Sequence, residues 1–393
     1  MRNEALYQAT IDILDLYLSS FKLEAALKSW SNKNRFAGSS DRRHIRNITF
    51  DIIRQKNSCA FVGGGLSGRQ LVMGYLILKD IDLSSVFTGL NYAPQEITKS
   101  ERKFLSLSYD IKKVNELDCP TWLIPIIKNS LSENFNTYLN LMRSRALVQL
   151  RINKQKTCRK TVLNFLKNEK IEVAPNSLVS SGINVLNGAH KILRSSVFLD
   201  GLIEFQDIGS QLVSQLIEIE EGDQVLDFCA GSGGKTLAVA SEANKAAYYS
   251  AWDENFNRMD DLENRANRAG IKIRKLLNKP VQNIYDKVII DAPCSGSGAW
   301  RRNPQGKWDL NLDKLMQYID IQKRLILEGF KLLKPGGQVI YITCSVLDVE
   351  NEKLIKELVL AEGTFYEKKM LNLLPTVQND GFFAAILKKI WLI

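Results

Sequence analysis

Two cysteines stand where chemistry is easily built. Cys294 lies in DAPCSGSG (291–298) and Cys344 in YITCSV (341–346), and each closes an apolar run, KVII before the first and GQVIYI before the second. Such runs read as buried strands. Neighbouring parallel strands end about 5 Å apart, so both thiols can face one small substrate. A thiolate adds to an electron-poor carbon, and a covalent step of this kind splits one difficult reaction into easier ones. Cytosine illustrates the need. Its C5 is a poor nucleophile toward a methyl sulfonium, but thiolate addition at C6 turns the ring into an enamine whose C5 is nucleophilic. The C5 proton must then leave and the thiol be expelled, which calls for a second group beside the adduct. Asp291 is the candidate to hydrogen-bond the ring near N3 while negative charge develops there. Free thiols titrate at about 8.5, so attack gains from a positive potential to which Lys235 could contribute. The competing reading of both cysteines is burial as small apolar side chains.

The elements that must position these groups are legible from residue 197 onward. Apolar strand runs at 224–229, 246–252, 271–276, 286–292, 337–344 and 382–387 alternate with helical patterns at 235–243, 255–270 and 312–333. Strands apolar on both faces and joined by helices predict a parallel sheet in a three-layer α/β domain, with ligands at the edge where the strands end. The first strand runs into LDFCAGSGGKT (226–236). A glycine-rich turn at that junction lets the backbone of Cys229, Ala230, Gly231, Ser232, Gly233 and Gly234 approach a ligand and opens the next helix with unpaired N–H groups. The spacing is neither GxGxxG nor the GxxxxGK[ST] of a phosphate loop. Asp253 ends the second strand about twenty residues later, where a carboxylate accepts both hydroxyls of a ribose. Together they predict an adenosine-containing cofactor and leave oxidoreductase chemistry open. The alternative for Asp253 is a cap on the helix beginning near Asn255.

The 393 residues suffice for two or three domains, and the 45% hydrophobic content excludes wholesale disorder. Residues 1–130 read as helices, 131–196 as a small α/β connecting module and 197–393 as the catalytic domain. DRRHIRNITFDIIRQ (41–55) sets Ile45, Ile48, Ile52 and Ile53 along one stripe and Arg42, Arg43, Arg46 and Arg54 toward the other side. With a net charge of +10, these arginines point to a polyanionic partner. Six scattered cysteines without a CxxC pair and only two histidines exclude a disulfide scaffold and give no zinc pattern. A reducing, cytoplasmic setting is expected, with no signal peptide, no membrane span, no metal and a monomeric chain.

Taken in order, LDFCAGSGGKT, DAPCSGSGAWRRNP and YITCSVLDVENEK closely resemble the motifs of the RNA 5-methylcytosine methyltransferases. Within them the resemblance is to the bacterial 16S ribosomal RNA cytosine-5 enzymes, whose helical N-terminal domain is like antitermination factor B. It implies a Rossmann-like S-adenosylmethionine-dependent methyltransferase domain acting on 16S ribosomal RNA or an assembly intermediate. It implies Cys344 as nucleophile, Cys294 as the residue that helps release product, Asp291 on the cytosine ring, and Lys235 near both cofactor and active site. The cofactor would lie on residues 229–235 with Asp253 on its ribose and Arg258, Asn278 and Asp291 nearby. Arg301 and Arg302, with Asn303 and Pro304, would approach the RNA, as would Arg42, Arg43 and Arg46. Two departures stand out: CAGSGGKT replaces the usual CAAPGGKT, and RKLLNKPVQ (274–282) has Asn278 where an aspartate commonly meets the adenine amino group. That second departure opens an alternative, a non-catalytic RNA-binding or ribosome-assembly protein with a vestigial pocket, which saturable binding of S-adenosylmethionine would exclude.

Overall fold

A computed structural model describes residues 1–106, 118–243 and 245–390. The chain divides into two compact units, Met1–Arg145 with Trp300–Asp309, and Ala146–Ala299 with Leu310–Ile393. The division thus falls at 145, beyond the expected boundary at 130, because the helices Ile124–Leu131 and Phe135–Met142 continue the first unit. Of the connecting module, residues 131–145 fall in the first unit and residues 146–196 in the second.

The first unit is helical. Asn3–Leu18, Leu23–Lys33, Ser39–Arg54, Lys56–Gly63 and Gly68–Leu78 bury one apolar core containing Ile13, Leu14, Leu23, Ile45, Ile52, Ile53, Leu71 and Leu76. The stripe on Ser39–Arg54 falls where its period predicts, with Ile45, Ile52 and Ile53 buried and Ile48 half-buried against the same core. Arg54 departs from the expectation. It sits one residue after Ile53 at the inner border of the helix and is buried, its Nη1 paired with Asp51 at 2.7 Å and its Nε donating to the Arg301 carbonyl at 2.8 Å. The decapeptide Trp300–Asp309 is built into this unit. Trp308 Nε1 donates to the Ile53 carbonyl at 2.8 Å, and Gln305 Oε1 accepts from the Leu23 N–H at 3.0 Å, satisfying a donor at the start of Leu23–Lys33. Lys307 is buried, its ammonium donating to the carbonyls of Arg54 and Asp118.

Helices Lys56–Gly63 and Gly68–Leu78 approach closely through Gly74, where an added Cβ would stand 1.8 Å from the Cys59 carbonyl oxygen. Gly74→Ala gains about 1 kcal/mol of helix propensity, but the clash is with backbone and the helices must part, a cost of about 3 kcal/mol. We expect a net destabilisation of about 2 kcal/mol by urea unfolding.

The second unit opens with a four-stranded antiparallel sheet, β1 (Val148–Ile152), β2 (Glu172–Pro175), β3 (Gly182–Asn187) and β4 (Ile203–Phe205), in the order β2-β3-β1-β4. Helix Arg159–Asn168 buries Val162 and Leu166 in its core. The seven-stranded sheet follows: β5 (Gln224–Asp227), β6 (Tyr248–Ala251), β7 (Ile273–Lys275), β8 (Tyr285–Asp291), β9 (Leu333–Thr343), β10 (Phe365–Leu373) and β11 (Phe382–Lys389), ordered β10-β11-β9-β8-β5-β6-β7. Strands β5 to β9 pair in parallel. The chain order reverses between β5 and β8, so the ligand crevice of a doubly wound sheet lies at their C-terminal ends. The closing strand β11 runs antiparallel between β9 and β10. β10 has no counterpart in the sequence reading, because FYEKKMLNL is a largely exposed edge strand without an apolar run.

Candidate active site

The two thiols meet. β8 and β9 are in register through Asp291 and Ile342, and the Sγ atoms of Cys294 and Cys344 stand 3.5 Å apart. Both cysteines are free and half-buried. Cys294 is held in its thiol form, first by its hydrogen bond to Cys344 and then by burial and by the charges of Cys344 and Glu350. The pair is therefore asymmetric.

Asp291 ends β8 with 36% of its side chain exposed, and Lys235, only 6% exposed, reaches it from the first turn of helix Gly234–Glu242. Lys235 Nζ lies 3.1 Å from Asp291 Oδ2, donates to Ser210 Oγ at 2.8 Å and rests 4.9 Å above the Phe382 ring. The lysine expected to supply a general positive potential is thus fixed on the carboxylate beside the thiols.

At the end of β5 the glycine turn takes the shape its sequence requires. Gly231 and Gly233 have φ of +48° and +81°, values that disfavour side-chain-bearing residues. An added Cβ on Gly234 would meet nothing within 4 Å, so the first turn of Gly234–Glu242 opens onto free space. Asp253, 5% exposed, joins this turn to the end of β6. Its Oδ2 accepts from the Gly231 N–H at 2.9 Å and pairs with Arg258 Nη1 at 3.0 Å, while Oδ1 accepts from the Asn255 N–H at 3.0 Å. That bond closes a turn onto Asn255, which precedes the helix Phe256–Met259, so Asp253 does not cap a helical N–H and the capping alternative is not realised. Asp227, which precedes the turn, accepts from Thr236 Oγ1 at 2.6 Å, and burial pushes its carboxyl up to about 6. Asn278 is exposed in the bend after β7. A concave glycine turn at a helix start, with a buried carboxylate at the next strand end, fits an adenosyl group carrying an amino-acid tail.

The basic residues separate. Arg42, Arg43 and Arg46 are exposed on Ser39–Arg54, with Arg46 paired to both Glu24 oxygens at 2.5 Å. Arg302 is exposed, whereas Arg301 is 2% exposed within the helical unit. The expectation that Arg301 approaches RNA is corrected by that burial, since its carbonyl is bound by Arg54 and its side chain is withdrawn from the surface.

Several residues of the site carry no assignment from sequence. Ser210 lies upstream of the sheet with no motif of its own, and Gln322 lies inside a long amphipathic helix, Leu312–Leu332. Glu350 and Asn351 fall within YITCSVLDVENEK, a stretch legible as a motif but silent on their role.

This doubly wound sheet, with its glycine turn at the end of β5, has the fold of the S-adenosylmethionine-dependent methyltransferases, with a cofactor site at that end. Residues 214–388 match the model of the 16S rRNA methyltransferase RsmB/F family, and residues 119–192 match that of the RsmF/B-like ferredoxin-like domain. Ribosomal RNA small subunit methyltransferase B of Vibrio vulnificus is 27% identical over 283 residues, 69% of this chain and 66% of that protein. The protein of the same name in Yersinia pestis is 27% identical over 348 residues, 81% of this chain and 77% of its own length. Among solved structures, that of PH0851 superposes with a TM-score of 0.80 at 22% identity and covers 99% of both chains. That of NSun6 from Pyrococcus horikoshii does so with a TM-score of 0.60 at 18% identity, covering 69% of this chain and 98% of its own. The chain belongs to the RsmB/F family. It is accordingly an S-adenosylmethionine-dependent RNA (cytosine-5) methyltransferase that works through cysteine.

Proposed function

We propose that this chain methylates C5 of a cytosine in 16S ribosomal RNA, or in an assembly intermediate of it, through a covalent bond between Cys344 Sγ and C6 of the base. The observation that carries the residue assignment is the 3.5 Å separation of the two sulfurs beside Asp291 and Lys235. S-adenosylmethionine supplies an electrophilic methyl group. The backbone of residues 229–234 and the carboxylate of Asp253 would hold it, with Arg258, Lys235, Asp291 and the exposed Asn278 at its margins.

The protein's own groups then act in sequence. Cys344 gives up its proton and adds to C6, while Asp291 in its carboxyl form, held in place by Lys235, donates a hydrogen bond or the proton to N3 as negative charge develops on the ring. Cys294, hydrogen-bonded to Cys344 and buried, keeps its proton in the free protein. Bond formation at C6 ties up the Cys344 sulfur and relieves that hold, and Cys294 gives its proton to solvent. As thiolate it accepts the C5 proton, the electrons of that C–H bond re-form the C5–C6 double bond, the C6–S bond breaks, and Cys344 leaves as thiolate.

RNA would be held in part by the basic surface of Ser39–Arg54, through backbone contacts that carry little sequence information. Replacing Arg42 and Arg43 with alanine is expected to weaken RNA binding across sequences and to flatten the dependence of log K on log salt by about 1 per residue. Filter binding at several salt concentrations reads this, and an unchanged slope would remove these residues from the interface. Among the described residues no helix is long and apolar enough to cross a membrane. We assign the protein to the cytoplasm, acting as a monomer, where its substrate is made. Bisulfite sequencing of RNA from a strain lacking the gene tests the substrate. One 5-methylcytosine should disappear from 16S ribosomal RNA, and a loss confined to transfer RNA would overturn the assignment.

A further inference from the structure

Glu350 is a carboxylate with no solvent exposure, and its carboxylate oxygens are bound from the flanks of the two cysteines and by the residue that holds one of them. Ser295, which follows Cys294, donates its N–H to Oε1 at 2.8 Å and its hydroxyl to Oε2 at 2.5 Å. Ser345, which follows Cys344, donates its hydroxyl to the same Oε2 at 2.5 Å. Gln322 Nε2 donates to Oε1 at 3.0 Å and to the carbonyl of Pro293, which precedes Cys294, at 2.9 Å. Asn351 completes the frame, accepting from Thr343 Oγ1 at 2.6 Å and donating to the Ser345 carbonyl at 2.9 Å.

Burying a carboxylate among neutral donors is costly unless every donor is well placed. A cavity wall could be made with apolar side chains at less cost, so the position of this charge calls for a reason. The donors supply it. One carboxylate spans the loop after β8 and the loop after β9, and the sulfurs are each one residue away from the groups it grips. Each carboxylate oxygen accepts two hydrogen bonds, although the Gln322 Oε1 atom beside it has no partner among the described residues, and the geometry these four bonds fix is that of the reacting pair.

We propose that Glu350 is a positioning residue of the methyl transfer, setting the relative placement of Cys294 and Cys344 through Ser295 and Ser345 without touching RNA or cofactor. The inference rests on the assignment of Cys344 as nucleophile. A glutamine at 350 keeps the volume but loses the charge and replaces one acceptor oxygen by a donor, which either faces the donor-only Ser295 N–H and Gln322 Nε2 or forces both serine hydroxyls to turn and accept. Misplacement of reacting groups by about 1 Å costs roughly a hundredfold in rate.

The test uses the full-length protein and its 16S substrate. Glu350→Gln should lower kcat by about tenfold to a hundredfold while KM for RNA and binding of S-adenosylmethionine stay within about twofold. In a Cys294→Ala background, the rate at which the covalent protein–RNA adduct forms should fall by the same factor. Ser295→Ala with Ser345→Ala should show a similar loss, and adding Glu350→Gln to that pair should cost less than it does alone, because the two hydroxyl donors through which it acts are already gone. The serine variants keep the test open should Glu350→Gln fold poorly. Adduct formation at the parental rate in Glu350→Gln, or full additivity of the triple variant, would overturn the proposal. Absence of any adduct with Cys294→Ala alone would instead count against the nucleophile assignment beneath it.

Discussion

Cys344→Ala is expected to abolish methyl transfer, with a loss of at least about a thousandfold, while S-adenosylmethionine binds as before. The loss is total in kind because the sulfur forms a bond that makes C5 nucleophilic, and no neighbouring group at this site can do the same from the same place. Cys294 is 3.5 Å away, but burial and the neighbouring Glu350 charge still hold its thiol protonated when the Cys344 sulfur is gone, and its sulfur is off the position from which attack is made. Calorimetric titration with the cofactor alongside a methyl-transfer assay separates the two effects. A variant that lost cofactor binding would have lost its fold, and one that kept full activity would remove Cys344 from the chemistry.

Cys294→Ala should give the opposite signature. Attack and methyl transfer proceed, but the C5 proton finds no acceptor, and the C6–S bond persists. A protein–RNA species stable to denaturant should accumulate as a slow band on a denaturing gel, at a stoichiometry approaching one, with turnover falling by at least about a hundredfold. Alanine also removes the thiol that hydrogen-bonds to Cys344, so the attacking sulfur loses one donor, and the rate of adduct formation measures that smaller effect separately. Rapid turnover with no trapped species would show that another group removes the C5 proton.

The sequence made the reacting end legible because the chemistry lies at the ends of its most strongly patterned elements. KVII and GQVIYI are buried on both faces, which gave the strands, and the cysteines and Asp291 follow directly in turns where small apolar packing is a poor explanation. The glycine turn was legible for the same reason, since positive φ at Gly231 and Gly233 needs glycine. What escaped was set by tertiary packing. Strand β10 is a charged edge with no apolar alternation, and β4 of the small sheet spans only three residues. Arg54 and Arg301 carry charges that normally mark a surface, and only the docking of Trp300–Asp309 into the helical unit explains their burial. Glu350 was hidden more deeply. A glutamate just after a catalytic motif reads as a helix-start acid, and only long-range pairing with Ser295 and Gln322 reveals it as a buried strut.

The domain arrangement shows a related limit. DAPCSGSGAWRRNP reads as one continuous motif, yet the chain leaves the catalytic unit after Ala299, contributes Trp300–Asp309 to the helical unit and returns at Leu310. Local pattern gives no sign of this crossing, because Lys307 and Trp308 find their partners 189 to 255 residues away in the chain.

The most direct measurement is to react the unaltered protein with S-adenosylmethionine and target RNA carrying 5-fluorocytidine, whose C5 substituent cannot leave as a proton, and to map the linked nucleotide by mass spectrometry of the digested protein. The nucleotide should be found on the peptide containing Cys344, methylated at C5. A nucleotide on the peptide containing Cys294, or methylated RNA released with no protein-bound species, would contradict it.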